Sequence, residues 1–335
     1  MRLLVINYAM DDAAPALAWQ ARVVRELARH CAQVWVLAER LGPCPLPENV
    51  RVEPLENGRL ARLRQAWRVC RQGQVQAVFL HMAHRYAYRL WPVFRAWRLP
   101  VLLWYAHGAV NWHLRLAHAC VDGVVSSSPE GFRLNSRKVR YIGQGVDTDL
   151  FNLRGGGERR DLITVGRLTR RKRLDLLLEV LEHLRGDGRR LRVVGAALTD
   201  DDQHYAAALR RQAEARSLPV DFVGPVPLTA LPACYDTAAL HLNVSQTNSM
   251  DKTVLEALAC GCPVLTSNPA FRELLAAYPG LLIDDERPEA IARQVRQALA
   301  HPAQPEALRG LVVGRHDLPG YTGRVLEQLH ALATR

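Results

Sequence analysis

Short aliphatic runs alternate along the whole chain with stretches in which apolar side chains recur every three to four positions. In the first half the runs are RLLVINY, AQVWVLA, NVRVEPL, VQAVFLH, PVLLWYAH, GVVSSS and VRYIG. Between them Trp19, Val23 and Leu27, and then Leu60, Leu63, Trp67 and Cys70, fall at helical spacing. A strand that is apolar at consecutive positions is buried on both faces, so the pattern predicts parallel sheets covered by helices on both sides. After VDTDLFNL comes RGGGERR (154–160), a glycine-rich, charged stretch suited to a hinge. A second series follows: LITVG, LRVVG, VDFVG, LHLNVS, PVLTSN and LLID. The expected architecture is α/β, with one doubly wound domain over residues 1–150, a linker over 151–160 and a second domain over 161–315. A closing helix over 316–335 is expected to pack back towards the first domain. In such sheets ligands bind beyond the carboxyl ends of the strands, which would put a site in a cleft between the two facing domains.

Composition narrows the class. With 335 residues, 49% of them hydrophobic, the chain can bury two full cores, and disordered, collagenous and disulfide-stapled scaffolds are excluded. Seven cysteines without a CxxC pair or zinc-finger spacing fit core packing in a reduced, cytoplasmic chain. The opening apolar run is too short for a signal-peptide core, meets Asp11 and Asp12 at once, and is expected to be a first buried strand. No segment reaches the roughly 18 apolar residues that span a bilayer; the richest, residues 99–110, is broken by His107 and Gly108. The expectation is a soluble protein, or one that rests on a membrane without crossing it.

The net charge of +11 is unevenly spread: residues 1–150 carry 20 Lys and Arg against 11 Asp and Glu. Between Glu56 and Asp122 there is no acidic residue, while Arg59, Arg62, Arg64, Arg68, Arg71, Arg85, Arg89, Arg95, Arg98 and Arg115 fall there. A surface of one sign attracts an anionic partner. Two amphipathic stretches, Arg59–Arg71 and Tyr86–Leu99 with Trp91, Phe94 and Trp97, combine arginines with tryptophans as an interfacial membrane helix does. The bland alternative is a surface helix packed on the sheet. Nucleic acid is disfavoured, because no binding motif accompanies the charge.

Chemistry gathers in the second half. LITVG ends in Gly166-Arg167-Leu168-Thr169-Arg170-Arg171-Lys172-Arg173, five cations in seven residues at the mouth of a strand, followed by a helical stretch from Leu174 to Leu184. After LHLNVS comes Asn248-Ser249-Met250-Asp251-Lys252-Thr253-Val254-Leu255-Glu256, which reads as a helix N-terminus with Asp251 as N-cap and Gly261 as the stop. Lys252 in the first turn opposes the helix dipole unless an anion binds there, and Glu256 one turn on could accept hydrogen bonds from ribose hydroxyls. The implied ligand is a diphosphate with a nucleoside beside it.

The order VGRLxxxK, LRVVG, VDFVGPV and NSMDKTVLEALACGCPV, together with WYAHG (104–108), SSSPEGFRL (126–134) and IGQGVDTDLF (142–151), resembles the retaining GT-B glycosyltransferases of family 4 (glycosyl transferases group 1), in a bacterial-type subgroup with an SMDK variant of the E-x7-E motif. The resemblance implies two Rossmann-like domains and a donor diphosphate held by Arg167 and Lys172. It also implies Glu256 on the ribose and His107 near the donor sugar. The donor site would comprise Gly166, Arg167, Lys172, Ser249, Met250, Asp251, Lys252, Thr253, Val254 and Glu256, and the catalytic set His107, Arg167, Lys172 and Asn248. Asn248 stands where the family carries the first Glu of E-x7-E; an amide can donate and accept hydrogen bonds but cannot act as a base. The glycine-rich loop usual after the first strand is replaced by Asp11-Asp12-Ala13-Ala14-Pro15-Ala16.

Other candidates carry ordinary readings. Asp147-Thr148-Asp149 imitates a DxD metal signature but fits a turn and cap. Asp200, Asp201 and Asp202 fit a helix start. His81 with His84, and His113 with His118, lack zinc spacing. The expected function is transfer of a sugar, with retention, from a UDP- or GDP-sugar to a glycan or polyprenyl- or lipid-linked acceptor in cell-envelope polysaccharide synthesis. No metal or other cofactor is expected. Peripheral contact with the inner face of the cytoplasmic membrane would run through the basic 59–98 region. A non-catalytic GT-B scaffold and a sugar-nucleotide epimerase of the same fold are the alternatives.

Overall fold

The computed structural model describes residues 1–14, 17–155, 158–247 and 249–334. The chain forms two compact units, Met1–Gly145 with Leu318–Arg335, and Val146–Asp317. The first is built from β1 (Arg2–Met10), α1 (Trp19–His30), β2 (Gln33–Leu41), β3 (Val50–Pro54), α2 (Arg59–Gly73), β4 (Ala77–His81), α3 (Arg85–Arg89), α4 (Trp91–Ala96), β5 (Val101–Trp104), α5 (Trp112–Cys120), β6 (Gly123–Ser126) and β7 (Val139–Tyr141). Its sheet is parallel, in the order β3-β2-β1-β4-β5-β6-β7.

Along β1 the side chains divide between two cores. Leu4 and Ile6 join Trp35 and Leu37 of β2 on one face, and Leu3 and Val5 join Val34 and Val36 on the other. Period-two geometry with both faces buried is what an unbroken apolar run encodes, and each such aliphatic side chain contributes about 1.5–3 kcal/mol.

The second unit contains β8 (Asp161–Val165), α6 (Leu174–His183), β9 (Leu191–Val194), α7 (Asp200–Ala215), β10 (Val220–Gly224), α8 (Leu231–Asp236), β11 (Ala238–Asn243), α9 (Lys252–Ala259), β12 (Val264–Thr266), α10 (Pro288–Ala300) and α11 (Pro305–Gly310). Its parallel sheet runs β10-β9-β8-β11-β12. Ile163 of β8 faces the core under α9, while Leu162 faces the core under α6, α7 and α10. The final helix, α12 (Leu318–Ala333), belongs to the first unit, where Tyr321 packs edge-on against Trp104 at 5.0 Å.

The structure departs from the sequence reading in several places. LLID does not form a strand: Leu282 makes a single parallel bridge to Thr266, the last residue of β12. Tyr86–Leu99 does not form one amphipathic helix. Pro92 opens a new helix, α4, since it has no N–H for the preceding turn. Phe94 is core, and Trp97 packs on Trp67 with ring centroids 5.4 Å apart, which leaves Trp91 as the exposed aromatic of that stretch. Asp200–Asp202 occupy the first turn of α7, and its N-cap is Thr199, in a capping box with Asp202. Asp147 accepts from the Leu150 N–H at 3.0 Å as a turn residue. Cys31, Cys70, Cys234, Cys260 and Cys262 are buried, whereas Cys44 and Cys120 are half-buried.

Candidate active site

In the second sheet the chain runs outward from β8 through β9 to β10 and returns to β11 on the other side. The carboxyl ends of β8 and β11 therefore flank the point where strand order reverses, the place at which doubly wound sheets bind ligands. The loops leaving these strands carry the residues singled out above, and they are joined there by a 2.9 Å hydrogen bond from the Gln246 N–H to the Arg171 carbonyl.

Gly166 leaves β8 at φ +146°, and a Cβ there would lie 3.2 Å from Cε of Lys172. Its neighbour Gly195, at the end of β9, has φ +147°, and a Cβ there would lie 1.8 Å from the Gly166 carbonyl oxygen. Two glycines thus let the backbones leaving β8 and β9 pass in contact. The next residue, Arg167, is paired with Asp202 of α7 at 2.8 Å, its side chain 44% exposed and that of Asp202 only 5%. Burial would raise the Asp202 carboxyl; hydrogen bonds from Arg167, Thr199 and Leu198 outweigh it and hold the pKa below the ordinary value.

Lys172 Nζ lies 3.0 Å from Oδ1 of Asp251. Asp251 is the N-cap residue of α9 by position, yet its side chain caps nothing. It accepts instead from Asn243 Nδ2 at 2.9 Å and Thr247 Oγ1 at 3.0 Å, and Asn243 Oδ1 in turn accepts from the Thr266 hydroxyl at 2.9 Å. The expected cap is therefore replaced by a buried polar relay, Thr266 to Asn243 to Asp251 to Lys172, which fixes the lysine at the mouth of the site. Burial alone would raise Asp251; the Lys172 charge and these hydrogen bonds lower it instead. Because Asp251 does not cap α9, the first-turn amides of Lys252 and Thr253 are left without that side-chain acceptor.

The sequence reads as five loose cations, but most are engaged. Arg167 and Lys172 pair as described, Arg173 pairs with Glu286 at 2.6 Å, and the Arg170 guanidinium lies over the Tyr205 ring at 5.3 Å. Ser249 is held by its carbonyl, which accepts from Asn268 Nδ2 at 2.8 Å, and Met250 and Val254 are core. Thr253 is half-buried.

Glu256 is 7% exposed, with Oε2 3.4 Å from the Tyr235 hydroxyl. Burial pushes its carboxyl up, against the pull of Lys252, Tyr235 and Lys172; burial also draws the Lys252 ammonium down, against the Glu256 charge. Each charge thus offsets part of the burial penalty on the other. Asn248 lies outside the described residues. Among the described residues no group of three or more His, Cys, Asp and Glu could hold a metal ion.

Asp202, Asn243, Thr247, Tyr235 and Gly195 are site residues that the sequence reading missed. The signal available was polarity at strand ends: Asn243 and Thr266 occupy the last positions of the mostly apolar β11 and β12.

His107 is in the first unit, in the loop after β5. It is half-buried, its backbone N–H donates to the Gly131 carbonyl at 2.8 Å, and its ring Nδ1 accepts from the Ala109 N–H at 3.1 Å.

Solved structures share this architecture across nearly the whole chain. Anabaena HepE in complex with UDP and glucose superposes with a TM-score of 0.78 at 16% identity, covering 99% of this chain and 100% of that one. Sucrose-phosphate synthase of Thermosynechococcus elongatus gives 0.77 at 17%, with the same coverage. The fold is GT-B. Within this GT-B chain, residues 147–310 match the family model described as glycosyl transferases group 1, a span that coincides with nearly all of the second unit.

A GDP-mannose-dependent alpha-(1-6)-phosphatidylinositol monomannoside mannosyltransferase of Mycolicibacterium smegmatis is 30% identical over 203 residues, 54% of this chain and 52% of the relative. The dimannoside enzyme of Mycobacterium tuberculosis is 32% identical over 143 residues, covering 42% and 36%. The GT-B chain thus spans about half the length, or less, of the relatives it matches in sequence.

Proposed function

We propose that the protein is a glycosyltransferase that moves a sugar, with retention of configuration, from a nucleoside-diphosphate donor to a glycan or lipid-linked acceptor. The observation that carries the reading is the pairing of Arg167 with Asp202 and of Lys172 with Asp251 at the strand-order reversal, beside an α9 tip whose N-cap side chain is turned elsewhere. Two fixed cations and a helix N-terminus stabilise the charge that develops on a departing diphosphate, and their positions are set before the donor arrives. The match of residues 147–310 to the group 1 model supports it, as do the two mannosyltransferase relatives, which make GDP-mannose the first donor to test.

Glu256 would take the ribose hydroxyls, with Ser249 and Thr253 beside the nucleotide. His107 and Asn248 would hydrogen-bond the sugar, and the first unit would receive the acceptor. These residues call for no bound metal, because guanidinium, ammonium and amide groups supply the positive potential.

The basic face of the first unit supports membrane-proximal work on envelope glycans. A groove of about 730 Å³ on α2 and α4 is lined by Arg64, Trp67, Arg68, Arg71 and Val93, among others. On the same helices Leu60, Trp67 and Trp91 are 68%, 47% and 43% exposed. No helix among the described residues is long and apolar enough to cross a membrane. The contact proposed is peripheral, through this basic face, on the inner face of the cytoplasmic membrane.

The test is incubation with GDP-mannose and a panel of UDP- and GDP-sugars. Donor turnover should collapse in Lys172→Ala and Glu256→Ala. Equal turnover in wild type and both variants would remove the site, and epimerised donor without transfer would reassign the reaction.

A further inference from the structure

The first sheet has its own point of reversal, between β1 and β4, and the side chains there differ in kind from those of the second unit. Tyr8 near the end of β1 is half-buried and within electrostatic reach of Arg85, Arg89 and Tyr88 of α3 and of Glu39 of β2. The Tyr88 ring stacks on His113 at 6.1 Å with an interplanar angle of 11°, and its hydroxyl lies 2.9 Å from His113 Nδ1. Trp112 lies beside this pair, 3.6 Å from His113 and 6.4 Å from Tyr88 between ring centroids, and is 64% exposed.

The result is an aromatic shelf at the carboxyl edge of the sheet, flanked along α3 by Arg85, which is exposed, and one helical turn on by Arg89, whose guanidinium lies over the Tyr86 ring at 5.7 Å. Their charge is felt across it: after burial, Arg85 and Arg89 are the causes that draw the His113 pKa down. The neighbouring carboxylate, Glu39, accepts from the Tyr86 hydroxyl at 2.7 Å. No acidic residue occurs from Asn57 to Val121. An ordinary surface arginine finds a carboxylate on its own helix or the next; here the chain supplies none within those elements.

Flat aromatic faces bind the C–H faces of sugar rings, and paired guanidiniums match the oxygens of a phosphate. We propose that this shelf seats the acceptor, and that the acceptor carries a phosphate beside the sugar ring: Trp112 and Tyr88 take the ring while Arg85 and Arg89 take the phosphate. The proposal rests on the glycosyltransferase reading for the word acceptor, but not for the binding chemistry. The phosphate could belong to a lipid-linked sugar or to a soluble sugar phosphate.

The experiment is isothermal titration calorimetry of the full chain, with excess GDP or UDP present to occupy the second unit. The probes are glucose, inorganic phosphate, glucose 1-phosphate and glucose linked through diphosphate to a short prenyl chain. Glucose 1-phosphate should bind at least about tenfold more tightly than glucose or phosphate alone. That advantage should shrink with added salt and vanish in the Arg85→Gln/Arg89→Gln variant. Trp112→Ala should weaken every sugar probe while leaving the effect of charge intact. Tighter binding of the prenyl-linked probe than of glucose 1-phosphate would assign the phosphate to a lipid carrier, and equal binding would assign it to a soluble sugar phosphate.

The proposal is overturned if glucose and glucose 1-phosphate bind alike, if no sugar probe binds, or if the double variant, folded by its tryptophan emission, keeps wild-type affinity for glucose 1-phosphate. Nucleotide binding is measured on the same sample: loss of the shelf with nucleotide binding intact sinks this proposal alone, whereas absence of nucleotide binding sinks the donor site and leaves the shelf standing.

Discussion

Replacing Asp251 by alanine removes one acceptor from three donors. Lys172 Nζ, Asn243 Nδ2 and Thr247 Oγ1 lie 3.0, 2.9 and 3.0 Å from its oxygens. Deleting one partner of a buried ion pair costs about 3–5 kcal/mol, because the remaining charge stays desolvated. The Lys172 side chain keeps 16% exposure, so water relieves part of the penalty and the lower end, about 3 kcal/mol, is the expected loss. For a unit of this size that is a fall in melting midpoint of about 6–12 °C.

The seven tryptophans all lie in the first unit, so their fluorescence follows that unit while far-ultraviolet circular dichroism follows both. Urea titrations should show the shift in the dichroism transition. In a Lys172→Met background the same Asp251→Ala change should cost less, with a coupling of about 2 kcal/mol. Saturating GDP or UDP should restore part of the loss, since a diphosphate can take over as counter-ion to Lys172. The pH dependence has a definite sign. The Asp251 carboxyl is lowered from 3.8 in the folded state, so the contribution of the pair is complete above that pH and is lost as the pH falls through the lower folded value. The acid limb of the wild type should therefore be steeper than that of Asp251→Ala. A loss under about 1 kcal/mol, or additivity with Lys172→Met within about 0.5 kcal/mol, would refute the relay as the device that positions the lysine.

Gly195→Ala places a Cβ 1.8 Å from the Gly166 carbonyl at φ +147° and should destabilise by more than about 1 kcal/mol, read as a drop in thermal midpoint. Glu256→Gln preserves shape beside Tyr235 and removes the charge; titration of GDP and UDP should show affinity reduced by about tenfold, while unchanged affinity would separate Glu256 from the ribose. Flotation with anionic liposomes should be salt-sensitive and weakened by replacing Arg59, Arg64 and Arg71, which are exposed, more than by replacing Arg68, which Glu53 already pairs at 2.6 Å. Equal flotation of all variants would leave α2 an ordinary surface helix.

The alternation of apolar runs with helical periods was sufficient to predict two doubly wound α/β units, because a strand buried on both faces must be apolar at every position and a helix covering it on one stripe. Local chemistry was legible too: Gly166 through Lys172 and Ser249 through Glu256 announce themselves as strand-exit loops rich in cations and helix-start residues. Tertiary structure alone decided which charges meet. Asp251 has the composition of a cap and instead serves Lys172; Asp202 has the composition of a helix start and, besides its place in the capping box, holds Arg167. Neither pairing is local, since Arg167 and Asp202 are 35 residues apart and are brought together only when β8 and β9 lie side by side. Sequence periodicity reports the environment of each element, whereas the partner of a buried charge is set by which strand ends the sheet order makes adjacent.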